Sequence, residues 1–252
     1  MKNFKLTIAY DGTRYNGWQR QENTDRTIQG KLEAILARYM GEPVEVHGSG
    51  RTDAGVHAKA QVANVKLETE LTSKQLQQIL NQYLPLDIRI LSAEEVDERF
   101  HARLKAVGKC YSYRVTTGQY LDVFRRDYQL HQEARLDAEA MRQAAKLLTG
   151  RHDYASFSSL KKTKKSTVRT VWDIEISEQD YGCGQDITFV FTGEGFLYHM
   201  VRLMVGALMD VGEGKMDAAA VEERLNRAEL GAQGRMVPAA GLCLEWVQYE
   251  SK

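Results

Sequence analysis

The sequence has few cysteines, and their positions exclude two common frameworks of small proteins. Only three occur in 252 residues, at Cys110, Cys183 and Cys243, and none of them belongs to a C-x-x-C motif. An odd number of widely separated cysteines does not suit a disulfide framework, and the missing C-x-x-C spacing argues against a zinc ribbon. We therefore expect a protein of a reducing compartment, with a sizeable hydrophobic core.

Long apolar runs and a net charge are missing as well. No apolar stretch reaches the roughly 20 residues of a membrane span, and residues 1–5 lack the apolar core of a signal peptide. We expect a cytoplasmic protein with no membrane partner. Lys+Arg and Asp+Glu both number 34, so net charge gives no indication of a nucleic-acid partner, and any basic surface must come from local clustering.

A glycine-rich segment at residues 48–58 is the most unusual stretch that the chain does contain. Gly48, Gly50 and Gly55 lie within eight residues, and glycine adopts positive φ without steric penalty, so a loop is predicted. Arg51 and Asp53 are two positions apart and would point to the same side of an extended segment. Such a charge pair suits a reactive site. The alternative is an Asx-turn, in which Asp53 bonds its own backbone.

Hydrophobic periodicity predicts the element order β-α-β-β-α-β twice. The first half has strands at 4–10, 44–46, 61–67 and 88–96, with helices at 28–40 and 72–83. Thr27 and Thr72 are the candidate N-caps of the two helices, Gly41 follows the end of the first, and Tyr39 and Tyr83 have the helical spacing of the apolar faces. The second has strands at 107–116, 167–176, 187–191 and 242–249, helices at 137–148 and 196–211, and an inserted helix at 218–228. The simplest fold is α+β, with two ferredoxin-like, split β-α-β-β-α-β halves joined into an extended antiparallel sheet, helices on one side and a central cleft. We place the halves at 1–104 and 105–252.

Basic residues cluster in two places although the total charge is balanced. Lys161, Lys162, Lys164, Lys165 and Arg169 share one predicted loop. The second cluster follows the junction of the halves and consists of Arg99, Arg103, Lys105, Lys109, Arg114, Arg125 and Arg126. Aromatic residues alternate with these cations, namely Phe100, Tyr111, Tyr113, Tyr120 and Phe124. Single-stranded RNA favours this mixture because bases stack and phosphates pair. The alternative is solvated lysines beside structural strand tyrosines.

The predicted helix at 196–211 is apolar nearly all round and should be buried, yet Arg202 lies in its middle. A guanidinium cannot lose its proton, so an unpaired buried arginine would cost several kcal/mol and a carboxylate partner is expected. Asp53 is the candidate from the opposite half. The alternatives are that Arg202 extends to the surface or that it pairs with Glu194 or Asp210.

These motifs together resemble the tRNA pseudouridine synthase A family, TruA. The resemblance rests on six ordered segments, at residues 10–13 (Tyr-Asp-Gly-Thr), 17–19 (Gly-Trp-Gln), 50–58 (Gly-Arg-Thr-Asp-Ala-Gly-Val-His-Ala), 100–103 (Phe-His-Ala-Arg), 109–113 (Lys-Cys-Tyr-Ser-Tyr) and 196–202 (Phe-Leu-Tyr-His-Met-Val-Arg). They span nearly the whole chain. Two features depart from the family pattern: Cys243 stands where tyrosine is frequent, and the lysine-rich loop is unusually dense.

The resemblance implies an enzyme that isomerises uridine to pseudouridine at positions 38, 39 and 40 of the tRNA anticodon stem-loop. It implies tRNA rather than DNA as the partner, a homodimer, and no metal or organic cofactor. Asp53 corresponds to the family's nucleophile and Tyr111 to its base-stacking tyrosine. Arg51 matches the arginine that holds the flipped-out nucleotide, and Arg202 the arginine that pairs with the aspartate. Attack on the base, attack on the ribose and a glycal route all stay open.

Two other functions are considered. A non-catalytic RNA-binding or folding module is compatible with the element order, but it leaves Asp53 and Arg202 unexplained. A metal hydrolase would use His47, Asp53, His57 and His101, but these residues are not paired at metal-ligand spacing on one element.

Overall fold

The computed structural model describes residues 1–162, 164–231 and 234–250. Its strands are β1 (Lys2–Tyr10), β2 (Val46–Gly48), β3 (His57–Leu67), β4 (Ile88–Val96), β5 (Ala106–Thr117), β6 (Leu130–Gln132), β7 (Gly150–Asp153), β8 (Val168–Asp180), β9 (Gln185–Gly193) and β10 (Leu242–Tyr249). Its α-helices are α1 (Ile28–Met40), α2 (Ser73–Tyr83), α3 (Ala138–Leu147), α4 (Met200–Gly212) and α5 (Ala218–Arg227). The predicted α+β class is therefore confirmed. None of the helices in these ranges is long and apolar enough to cross a bilayer.

The chain divides into two compact units. The first unit contains Met1–Val107 and Cys243–Lys252, and the second contains Gly108–Leu242. The predicted halves, 1–104 and 105–252, place the C-terminal strand differently. That strand, β10, pairs in parallel with β3 through Cys243 opposite His57 and Leu244 opposite Ala58. Its hydrogen bonds therefore return it to the first unit, a long-range pairing that local periodicity does not encode.

The first unit has the predicted β-α-β-β-α-β order. Strand β1 lies between β3 and β4 and is antiparallel to both, while the short β2 pairs with the far end of β3. Helix α1 starts where the Thr27 side chain accepts a hydrogen bond from the backbone of Gly30, and it ends at Gly41 with φ of 77°. Thr72 caps α2 in a capping box. These three predicted helix ends are confirmed.

Two tyrosines do not face the core as their helical spacing predicts. Tyr39 and Tyr83 lie in the last turns of α1 and α2, and they are 51% and 57% exposed. The buried faces consist instead of aliphatic residues one and two turns earlier, Leu32 and Leu36 in α1 and Leu76 and Leu80 in α2. A tyrosine at a helix end keeps its hydroxyl in water without loss of the aliphatic packing.

The second unit has an antiparallel sheet in the order β5-β9-β8-β7. Strands β6 and β7 were not predicted, because they have only three and four residues and show no apolar alternation. Strand β6 runs parallel to β5. Two strand pairs, β5 with β6 and β3 with β10, run parallel, and they are the exceptions to the predicted antiparallel pairing.

Helix α4 is the buried helix of the second unit, as its apolar sequence predicts. It begins at Met200 rather than at the predicted Phe196, because His199 adopts the left-handed conformation with φ of 64°. A helix cannot propagate backwards through such a residue. A Cβ at Gly206 would lie 1.9 Å from the carbonyl oxygen of Arg235, so only glycine allows the segment before β10 to pass against α4.

Candidate active site

Asp53 lies in the glycine-rich loop that connects β2 to β3, as predicted. Its side chain is partly buried, Thr52 before it is buried, and Arg51 is exposed. The loop reverses directly afterwards, where the backbone N–H of Val56 donates to the carbonyl of Asp53 at 3.2 Å and Gly55 has φ of 79°. The turn therefore sets the direction in which the Asp53 side chain projects from the backbone.

Gln61, a buried residue of β3, anchors the start of this loop. Its amide oxygen accepts a hydrogen bond from the Ser49 hydroxyl at 2.6 Å, and its amide nitrogen donates to the carbonyl of Gly50 at 3.1 Å. Ser49 and Gln61 are both almost completely buried. Because an unmade hydrogen bond is costly inside a protein, these contacts hold the backbone just ahead of Arg51 in one conformation.

Tyr10, at the end of β1, anchors the residue next to Asp53. Its hydroxyl lies 2.8 Å from the Thr52 hydroxyl, and burial raises the pKa of Tyr10 well above its ordinary value, so the phenol stays neutral. The Thr52 carbonyl accepts a hydrogen bond from the backbone of Trp18 at 3.0 Å. Gly17 has φ of 92°, and a Cβ there would lie 2.6 Å from the same carbonyl oxygen. The 17–19 motif therefore forms a wall against which the loop packs.

The 10–13 motif forms a second contact with the loop. A Cβ at Gly12 would lie 2.0 Å from the carbonyl oxygen of Val56, and the Gly12 N–H donates to Nδ1 of His57 at 3.1 Å. The Asp11 carboxylate is equally close to that Nδ1. His57 thus connects the end of the glycine-rich segment to the 10–13 motif.

Tyr111 lies in β5 of the second unit, where β5 pairs with β9. Its ring is partly buried and meets the ring of Phe196 edge-on, with centroids 5.4 Å apart and planes at 89°. Two residues further along the same face, Tyr113 is completely buried and its hydroxyl donates to the carbonyl of Pro238 at 2.8 Å. Tyr113 is therefore a core residue, and the interpretation of it as an RNA-contacting aromatic is wrong.

Arg202 lies in the first turn of α4 rather than in its middle, because α4 starts later than predicted. It is partly buried in a helix whose other residues are mostly buried. Its Nε donates to the carbonyl of Val237 at 2.8 Å, while the Val237 N–H donates to the carbonyl of Arg202 at 3.4 Å. Asp210, one alternative partner, forms an ion pair with Arg235 at 3.4 Å instead. The predicted pairing of Arg202 with Asp53 stays a prediction.

The lysine-rich loop is exposed at Lys161, Lys162, Lys164 and Lys165. Arg169, which belongs to the same cluster in the sequence, is less exposed than these lysines. Its guanidinium donates to the carbonyls of Ser166 and Val168, and burial lowers its pKa. It therefore braces the loop, and the four lysines form the exposed basic surface that we name the lysine loop.

Sequence patterns identified the charged residues of these regions but missed Gln61 and the hydroxyl pair of Tyr10 and Thr52. One signal was available for Gln61. It alternates with Ala63 and Val65, two buried residues on the same face of β3. A polar side chain at such a position must find buried partners, and the polar loop residues nearby are the obvious ones.

Metal ligation has no support among residues 1–162, 164–231 and 234–250, where no group of three or more His, Cys, Asp or Glu side chains is arranged to hold an ion. Two of the histidines considered as ligands, His47 and His101, stack on each other instead, with ring centroids 5.0 Å apart.

Comparison with known proteins bears directly on this arrangement. The family model described as tRNA pseudouridine synthase matches residues 6–104 and 144–250. The chain is 43% identical over 249 residues to "tRNA pseudouridine synthase A 2" of Bacillus cereus (strain ZK / E33L), a match that covers 99% of this chain and 100% of that protein. It is equally similar, with the same coverage, to the protein of that name in Clostridium perfringens (strain 13 / Type A).

Among solved structures, a chain of the "Cbf5-Nop10-Gar1 Complex" matches with 13% identity and a TM-score of 0.42, over 96% of this chain and 48% of that one. A likeness of this size adds nothing to the assignment. The full-length sequence matches are sufficient by themselves. The chain belongs to the tRNA pseudouridine synthase A (TruA) family of isomerases.

Proposed function

We propose that the protein converts uridine to pseudouridine at positions 38, 39 and 40 of the tRNA anticodon stem-loop, as a homodimer without metal or organic cofactor. Family membership supports the reaction, and the resemblance of the motifs supports the positions. The observation that carries the proposal is the environment of Asp53. It is a partly buried carboxylate on a loop whose flanking residues are held by the buried side chains of Tyr10 and Gln61.

The reaction breaks the bond between C1′ and N1 of uridine and forms a bond between C1′ and C5, and the hydrogen on C5 is released to solvent. The detached uracil must be retained and rotated before it is rejoined to the ribose. A fixed carboxylate serves this purpose, either as a covalent nucleophile or as a group that stabilises or deprotonates the ribose fragment. We assign this role to Asp53. Anchoring of Thr52 by Tyr10 and of Gly50 by Gln61 keeps the carboxylate in place while the base moves.

We assign substrate-binding roles to Arg51, Tyr111 and Arg202. Arg51 is exposed beside Asp53, so its guanidinium is accessible to the backbone of a nucleotide that has left the helix. The partly exposed ring of Tyr111 supplies a stacking surface for the extruded base, which otherwise loses its neighbours. Arg202, fixed through its Nε, keeps the planar guanidinium in one orientation and favours the ionised form of a carboxylate.

The test is tritium release from 5-tritiated uridine in a tRNA transcript, followed by mapping of the modified position. The parent protein should release tritium in the presence of EDTA, and pseudouridine should appear at positions 38 to 40. Binding without release would favour the non-catalytic RNA-binding module. Release that stops with EDTA and returns with added metal would contradict cofactor-free chemistry. Modification only at other uridines would support the reaction but would contradict the anticodon stem-loop as its target.

A further inference from the structure

We propose that Tyr198 and His199 form a stacking platform for an unpaired nucleobase of the tRNA, next to the lysine loop. This rests on the proposed function, because it names a further contact of the same RNA substrate. The platform is distinct from Tyr111, the residue to which the target base is assigned.

The two aromatic rings are already arranged as a base-binding surface. The phenol of Tyr198 and the imidazole of His199 are stacked, with centroids 3.6 Å apart and planes at 28°. Tyr198 nevertheless stays 52% exposed. An exposed tyrosine whose ring is supported by a second ring is held for contact with a flat partner, and every nucleobase has such a face.

The platform is fixed to the protein through His199. This residue has φ of 64°, a conformation that residues other than glycine rarely adopt, and its Nδ1 lies 2.9 Å from the Ser159 hydroxyl. The Ser159 N–H in turn donates to the carbonyl of Tyr198 at 3.3 Å. These two hydrogen bonds connect the segment that carries the rings to Ser159, which lies two residues before the first lysine of the lysine loop.

Charge indicates what binds there. Lys161, Lys162, Lys164 and Lys165 are all exposed, and the first of them lies two residues after Ser159 in the chain. The nearest acidic residue before Tyr198 is Glu194, which interacts with Arg169. Four cations beside an aromatic platform suit an RNA strand, in which phosphates and bases alternate. An acidic peptide would satisfy the lysines but would not use the stacked rings.

Binding of a tRNA transcript by the whole protein tests the proposal, with affinity measured at several salt concentrations. Tyr198→Ala should weaken binding at least about 5-fold, the lower end for one base–aromatic stack, and should leave the salt dependence unchanged. Tyr198→Phe keeps the ring and should bind like the parent. In His199→Asn the asparagine tolerates the left-handed backbone, and only the supporting ring is removed. This variant should therefore lose less tRNA affinity than Tyr198→Ala. The matched control is Tyr83→Ala, which removes a tyrosine of similar exposure in a helix turn without basic residues.

A second measurement does not depend on the alanine variant folding. Tyr198→Trp keeps a stacking ring, and its fluorescence should be quenched by tRNA beyond any quenching of the parent's three tryptophans. The absence of extra quenching, or a folded Tyr198→Ala that binds within about 2-fold of the parent, would overturn the platform. Failure of the proposed function is distinguishable, because the parent would then release no tritium from 5-tritiated uridine.

Discussion

The two units hold their candidate functional groups in contrasting ways. In the first unit Asp53 lies on a loop in which the residues near it are hydrogen-bonded to the buried side chains of Tyr10 and Gln61. Backbone carbonyls of the same loop pack closely against Gly12 and Gly17. In the second unit the lysine loop is exposed, and Tyr198 stacks at the surface. The difference fits the roles that we propose for the two regions. A group that reacts with a displaced base needs one geometry, whereas groups that capture a flexible strand need reach and charge.

The contrast predicts that changes to Asp53 or to its anchors Tyr10 and Gln61 lower the rate of reaction at saturating tRNA, while changes to the lysine loop or to Tyr198 lower affinity. Any variant that does the opposite would break the comparison.

The largest effect should come from Asp53→Asn. This change keeps the size of the side chain and removes its charge, so isomerisation should fall below detection while tRNA binding stays near the parental value. Tritium release and filter binding measure the two properties. The control is Asp25→Asn, an exposed carboxylate of the same unit. Equal losses in both variants would mean that the effect is not specific to Asp53.

Gln61→Ala should have the next largest effect. The Ser49 hydroxyl and the Gly50 carbonyl would lose their buried partner, which costs about 1–3 kcal/mol of unfolding free energy, and a displaced Asp53 should slow turnover by roughly 10- to 100-fold. Affinity for tRNA should change little. A matched change is Gln77→Ala, which removes a glutamine that donates to the backbone of β4. If Gln61→Ala loses stability but keeps full turnover, the anchor is not needed for catalysis.

Replacing all four lysines of the lysine loop by glutamine should weaken tRNA binding and leave the reaction rate at saturation intact. Each phosphate contact removed should reduce the slope of log affinity against log salt by about one unit. A control with Lys66, Lys74 and Lys146 changed to glutamine removes exposed but scattered lysines. An unaltered slope in the loop variant would show that its lysines are only solvated.

Two substitutions of Tyr111 separate the role of its ring from that of its hydroxyl. Tyr111→Phe should keep tRNA affinity, because the edge-on packing against Phe196 uses the ring alone. Tyr111→Ala should weaken capture of the extruded base by roughly 1–3 kcal/mol. Turnover of the phenylalanine variant then reports on the hydroxyl. Normal turnover of the alanine variant would remove Tyr111 from the site.

The smallest effect concerns His101. Burial, followed by the stacked His47, lowers the pKa of His101 below its ordinary value, so the unfolded chain takes up the proton more readily. Stability should therefore decrease slightly as pH falls through about 6.5, the ordinary histidine value. Thermal unfolding of the parent and of His101→Gln between pH 7.5 and 5 measures this. A parent that becomes more stable in acid relative to the variant would contradict the sign.

Local signals in the sequence predicted most of the first unit. The features that were missed depend on contacts between residues far apart in the chain. The caps at Thr27 and Thr72 depend only on neighbouring residues, so they were found. The parallel pairing of β10 with β3 joins residues far apart in the chain, and no periodicity marks it. Arg202 was recognised as an exception in an apolar helix, but the left-handed backbone of His199 moved the helix start and hence its position. The anchors at Tyr10 and Gln61 required three-dimensional contacts.

The most direct test is single-turnover tritium release over a range of protein concentrations, with Asp53→Asn and the four-lysine variant measured side by side. We expect no release by Asp53→Asn at any concentration, although this variant binds tRNA. The four-lysine variant should reach the parental rate once the protein is concentrated enough to saturate the tRNA. A rate near the parental value for Asp53→Asn, or a four-lysine variant that stays slow at saturation, would contradict the assignment of chemistry to the first loop and of capture to the second.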